Sequence, residues 1–367
     1  MRLCRIPLTA SFALLLSCPA LLCQSASPRQ QVAAVAKAAP SDPAGASDAA
    51  AGKQASAPSR VLFFYTAPRS TLELEVHTVP PSNQDRLDRL RAAFLSVGCA
   101  GERMQEQRVV DKHGNAGTNL VCTWPASEAA APGSRTAGTI VVAAHYEHEG
   151  RGEGALADWS GAALLPFLYE ALQGQPRENE FVFLETWKAE GAETWLHSLP
   201  KERRQHIRAM IDLDALGLGT TRYFTTFSFM ETPPEGSVHL QTELLWAAID
   251  DGLNQPPEMT SPHHWLAQDS TDPFRAKLIP TIVIHSVPPE SSHLPGSPAD
   301  IAAAVDGNAY FTSYRLMCTY LASLDHMARK LDRDDPVWNL PHNQEVPAAE
   351  VNPRVTFKQY GGWRTTH

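Results

Sequence analysis

Several segments of this sequence place a histidine or an aspartate at or just beyond an apolar run. IVVAAH ends in His145, and GALADWSG puts Asp158 just before a helical pattern. MIDLDALG offers Asp212 and Asp214, and IPTIVIHS reaches His285, with His293 in the loop beyond. Imidazole nitrogen and carboxylate oxygen are donors that zinc takes at about 2.0–2.2 Å, and a hydrolytic site keeps one further position for water. A carboxylate can also bridge two metals, which then clamp both ends of a displacement. One segment cannot surround a metal alone, so such ligands must come from different strand ends. Each residue has a structural reading as well. His145 is equally a hydrogen-bonded strand-end histidine, Asp158 a helix N-cap, and Asp214 a turn residue. His148 and His285 read as structural residues or as supports for a ligand.

The elements that must position these residues follow from periodicity. VLFFY, NLVCTW, GTIVVAAH, FVFLE, IRAMIDL and IPTIVIHS are short apolar runs bounded by turn residues, so each is expected as a strand. QDRLDRLRAAFLSVG repeats Leu87, Leu90, Phe94 and Val97 at helical steps and stops at Gly98. SGAALLPFLYEAL is helical in period, with Pro166 expected to kink or shorten it. LQTELLWAAIDDGL and AYFTSYRLMCTYLASLDHMARKL complete the helices. Strands alternating with helices predict an α/β fold, a three-layer sandwich around a mostly parallel central sheet. In such sheets, sites gather at the carboxyl ends of the strands.

The 367 residues carry a net charge of −9 and no basic block, so a nucleic-acid or anionic-membrane partner is not expected. Arg2 and Arg5 precede an apolar run and small residues, the pattern of a secretory signal over residues 1–25. Pro7 and Pro19 break that run, which falls short of a transmembrane span. Leu15-Leu16-Ser17-Cys18 also allows a lipid anchor on Cys18. Residues 26–59 read as an Ala/Ser/Pro linker, 60–335 as the folded domain, and 336–367 as an irregular tail. The expected location is the periplasm or the exterior. Of the cysteines beyond the signal, Cys99 and Cys122 are the favoured disulfide pair, leaving Cys318; three separate thiols are the alternative.

Taken in order, the segments from Asp85 to Leu331 resemble the di-zinc aminopeptidase family, peptidase family M twenty-eight, which is related to the glutaminyl cyclases. DRLDRLRAAFLSVGC resembles its leading helix, and GTNLVCTWP its following strand. The resemblance implies His145, Asp158, Asp214 and His293 as metal ligands, with Asp158 the bridging carboxylate. Asp272, in STDPFRAKLIPTIVIHS, takes the place of a further site acid. It also implies one or two zinc ions and hydrolysis of N-terminal residues of peptides by metal-activated water.

Two departures stand out. Glu147 occupies the place of an Asp that supports the first histidine, one methylene longer. More seriously, FVFLETWKAEGAETW lacks the adjacent Glu-Glu pair that supplies the general base and a ligand. Registered on FVFL, Trp187 and Lys188 stand there; registered on Gly191, Lys188 and Ala189 do. Three readings follow. Glu185 or Glu190 takes over the catalytic work; or one metal remains, with Lys188 supplying charge where the second was; or the chain is an inactive pseudopeptidase that binds peptides or proteins in the envelope. The glutaminyl cyclases keep the paired glutamates, so the chain does not favour their acyl-transfer chemistry. A general base is worth about 10²–10⁴ in rate, so its loss with a ligand would leave little ordinary activity unless replaced.

Overall fold

The computed structural model describes residues 30–35, 61–127, 138–174, 176–225, 235–260 and 270–327. The signal expected over 1–25, Cys18 and the tail 336–367 lie outside the described residues. In chain order the elements are β1 (Gln30–Val35), β2 (Val61–Thr66), α1 (Arg69–His77), α2 (Asn83–Ser96), β3 (Met104–Val110), β4 (Ala116–Trp124) and β5 (Thr139–His145). A π-helical turn at Ala155–Trp159 leads into α3 (Ser160–Ala162) and α4 (Leu165–Ala171). Then come β6 (Glu180–Thr186), α5 (Lys188–Ser198), α6 (Lys201–Gln205), β7 (Ile207–Leu213), β8 (Arg222–Phe224), α7 (Glu235–Asp250), β9 (Glu258–Met259), α8 (Asp272–Arg275), β10 (Thr281–His285) and α9 (Gly307–Met327).

Eight strands form one sheet in the order β3-β4-β6-β5-β7-β10-β8-β9. Its centre, β6-β5-β7-β10, is parallel. The β3-β4-β6 side and the β10-β8 pair are antiparallel, so the sheet is mixed rather than uniformly parallel. The central strands are buried on both sides, which is why they read as unbroken apolar runs. Ile140, Val142, Phe181 and Phe183 face the larger core with α2, α4 and α9. Val141, Val182, Leu184 and Met210 face a smaller core with α5 and Phe274 of α8.

β1 falls inside the span expected as a linker and pairs with β2 in a separate antiparallel ladder. Cys99 and Cys122 are joined as a disulfide with Cα atoms 6.2 Å apart, and Cys318 is a buried free thiol. Pro166 sits at the start of α4, just after the chain leaves α3, so the helical pattern there is broken as its proline requires. No helix among the described residues is long and apolar enough to cross a membrane.

Candidate active site

The carboxyl ends of β5, β6 and β7 and the π-helical turn converge on one cluster. His145 closes β5, and its Nε2 lies 3.2 Å from Asp158 Oδ1. His148, three residues on, puts Nδ1 2.6 Å from Asp158 Oδ2, so each carboxylate oxygen meets one imidazole. Two donors bound to one tetrahedral zinc stand about 3.3 Å apart, so the His145–Asp158 spacing suits a shared metal, whereas the His148 contact is a short hydrogen bond. Gly154 makes this approach possible. It is left-handed, with φ 59°, and a Cβ there would lie 2.2 Å from Asp158 Oδ2 and 2.4 Å from His148 Nδ1.

Two buried residues hold the turn in place. Asp300 accepts the Leu156 N–H at 2.6 Å, the Ala157 N–H at 3.2 Å and the Gly296 N–H at 2.8 Å. Arg86 of α2 donates to the carbonyls of Tyr146 at 3.0 Å and Glu153. It stands close enough to Asp158, Asp300 and Glu147 to offset their charge. Neither residue was singled out from sequence. Arg86 reads there as one more charge on an amphipathic helix.

The electrostatics are those of a tightly packed acid–imidazole group. Burial would raise the Asp158 carboxyl, but hydrogen bonds from His145 and His148 hold it below its usual range. Burial would lower the His145 ring, yet the Asp158 hydrogen bond and the charges of Asp214 and Glu147 push it well above its ordinary value. Asp214, buried just beyond β7, therefore acts on His145 through its charge. Its own N–H donates to the Ile284 carbonyl at 3.0 Å.

The stretch from Phe181 to Trp195 is a strand and a helix rather than a strand and a turn. Asn119 of β4 fixes the junction, accepting the Trp187 N–H at 3.0 Å and donating to the Gly191 carbonyl at 2.8 Å. Trp187 lays its indole over Gly117, where a Cβ would come within 2.1 Å of the ring. Lys188 opens α5 in the left-handed region at φ 59°, rare for a long side chain. Its N–H donates to Glu147 Oε2 at 3.0 Å, and its ammonium pairs with Asp111 at 3.2 Å and with Glu149. Glu147 is thus a cap for α5, and burial pushes its carboxyl up to about 7.

Glu185 lies near enough to His145 for the imidazole's charge to act on its carboxyl. Glu185 is wholly buried on the larger-core face, between Leu120 and Ala144 in the ladder, and neither carboxylate oxygen has a hydrogen-bond partner. Burial drives its carboxyl well above the usual range, against the opposing charge of His145. Glu190 is half-exposed in the first turn of α5. Asp272 is exposed at the start of α8 and pairs with Arg275. His293 is exposed in the loop after β10. Asp212 is buried in β7. His285 is fully buried with both ring nitrogens engaged: Nδ1 accepts the Val287 N–H at 3.2 Å and Nε2 donates to Thr260 Oγ1 at 2.8 Å. The His148 contact is the addition that sequence reading left undecided. Its signal was the three-residue step in HYEH beside a strand end.

The model of Peptidase family M28 matches residues 119–317. The chain belongs to that family. Its fold is also similar to glutaminyl cyclases from an Acidobacteriales bacterium (16% identity, TM-score 0.53, 80% of this chain and 99% of that one) and from Bacteroides thetaiotaomicron (14% identity, TM-score 0.55, 70% and 98%). A zinc aminopeptidase from Bacillus subtilis matches at 14% identity and a TM-score of 0.48, over 57% of this chain and 50% of that one. The chain thus spans about half the length of that aminopeptidase. No curated protein matches the chain. Glutaminyl cyclases share this fold with a chain of a peptidase family, so activity must be argued from the side chains present.

Among the described residues, no group of three or more His, Cys, Asp or Glu side chains is arranged to hold a metal. The positions after β6 carry an indole and an ammonium that is already committed to two carboxylates. The donors that do come together are His145 and Asp158, with Asp214 contributing charge beside them.

Proposed function

We propose that this M28 protein is an exported peptidase-fold protein that binds peptides without two-metal hydrolysis. The observation that carries this reading is Lys188. It stands directly after β6, where a carboxylate ligand would be needed, and its ammonium is held between Asp111 and Glu149. Trp187 beside it is packed on Gly117 and hydrogen-bonded through its backbone to Asn119. Glu185 is enclosed away from solvent, so it offers no accessible base in this conformation. The Cys99–Cys122 disulfide suits an oxidising, exported location.

A second reading, a hydrolase using one zinc, is favoured by the 3.2 Å spacing of His145 Nε2 and Asp158 Oδ1. In that case His145 and Asp158 hold the ion, which supplies Lewis-acid polarisation of a carbonyl. Zinc loading followed by metal analysis tests the main proposal. It expects no more than one equivalent per chain, and two equivalents retained after dialysis would overturn it.

A further inference from the structure

Beyond the acid–imidazole cluster, an open cleft of about 360 Å³ lies between the start of α2 and the β3–β4 hairpin. Its floor is formed by Leu87, Tyr146 and Trp187, each showing only a little of its surface, and Asn83, Gln84 and Thr118 add polar edges around it. Gly117 covers one face of the Trp187 indole, and the Lys188 ammonium sits 4.8 Å from the ring centroid, so the ring edge is what the cleft meets. Tyr146 is fixed by its hydroxyl, which donates to the Thr118 carbonyl at 2.6 Å. The floor is therefore rigid before any ligand arrives.

The rim carries one uncompensated charge. Arg108 of β3 lines the cleft and is exposed, with no carboxylate partner among the described residues. Other cations of this region are satisfied: Arg91 pairs with Asp88 and Glu106, and Lys188 with Asp111 and Glu149. A free guanidinium beside this floor selects a ligand with two parts. The planar fork takes a carboxylate in two parallel hydrogen bonds, and the floor takes an apolar or aromatic group at ring-edge geometry. The volume is at the small end of ligand sites, enough for one acylated residue rather than a long peptide.

We infer that this cleft binds a carboxylate bearing an apolar or aromatic group, the chemistry of a peptide's C-terminal residue. The inference rests on the reading that the protein acts by binding. It places the ligand on the α2 and β3–β4 side, with the carboxylate on Arg108 and the side chain against Leu87, Tyr146 and the Trp187 edge.

Titration calorimetry of the full chain with N-acetyl-L-phenylalanine, set beside the same compound with its carboxylate converted to the amide, tests this. Saturable binding of the acid is expected, with the amide weaker by about 10-fold, the effect of removing one charge-assisted pair. Arg108→Gln should weaken the acid to the level of the amide, and Ala116→Trp, an exposed rim position, should abolish binding of both. Both positions are exposed, so both variants should keep the wild-type circular dichroism spectrum. No saturable binding up to about 10 mM, or equal binding of acid and amide unaffected by Arg108→Gln, overturns the assignment. The outcome is separable from the question of hydrolysis. A protein that is inert as a peptidase and also fails to bind here keeps the non-hydrolytic reading and loses only this ligand.

Discussion

Lys188 Nζ lies 3.2 Å from Asp111 Oδ2, with the two side chains only 9% and 2% exposed. This ion pair ties the start of α5 to the β3–β4 turn. Asp111 is itself held by Asn115, whose side chain and N–H both donate to it, and these bonds with the Lys188 pair hold its carboxyl well below the usual range. Lys188→Ala leaves the Asp111 charge buried without its cation. A lower midpoint in a urea titration is expected, since Asp111 then keeps only its Asn115 and His113 partners. Lys188→Glu, which restores an acid to that position, should be worse, since it faces Asp111 and Glu149.

Glu185 gives the opposite sign. Its folded-state pKa is raised by burial, so the folded protein keeps a proton that the unfolded chain has released once the pH exceeds about 4.5. The unfolded state then binds fewer protons, and this group lowers stability as the pH rises above that value. Glu185→Met removes both the proton linkage and two partnerless oxygens. It should stabilise the protein by about 1–3 kcal/mol at pH 7, with the gain shrinking toward pH 4 in parallel denaturation curves. An equal gain at both pH values would contradict a carboxyl raised by burial.

Asp300 positions the turn that carries Asp158. Asp300→Ala strands three N–H groups and should cost at least about 2 kcal/mol. Asp300→Asn, which retains one acceptor oxygen, should lose less. If the two substitutions cost the same, Asp300 is not acting through its acceptors.

The disulfide closes a separation of 23 residues between Cys99 and Cys122. Cys99→Ser with Cys122→Ser should lower stability by about 3 kcal/mol, the chain-entropy scale for such a loop. Calorimetry of the double variant against the oxidised parent reads this directly.

Much of the fold was legible because the central strands are buried on both sides and write themselves as apolar runs. β5, β6, β7 and β10, with α2, α7 and α9, stand where periodicity puts them. The short edge strands β8 and β9 and helices α1, α5, α6 and α8 were not singled out. Each is brief or weakly patterned and is held by tertiary contacts such as the Trp195–Phe274 stack. At the site, the pairing of His145 with Asp158 came from the family resemblance, since the strand ends alone leave each residue a structural reading. The fate of Lys188 was not legible, because its partner Asp111 lies 77 residues away in sequence. Nor was the inward turn of Glu185, since strand alternation says that a residue changes face but not which face is closed.

The central claim is that the chain binds peptides without hydrolysing them, and chelator-sensitive turnover measures it most directly. Zinc-loaded protein is incubated with a panel of aminoacyl-nitroanilides, with and without chelator, beside Asp158→Asn. No difference is expected between the chelated and unchelated samples, and none between the parent and the variant. Turnover that chelator abolishes and Asp158→Asn lowers by about 100-fold or more would contradict the central claim and establish an active hydrolase at this site.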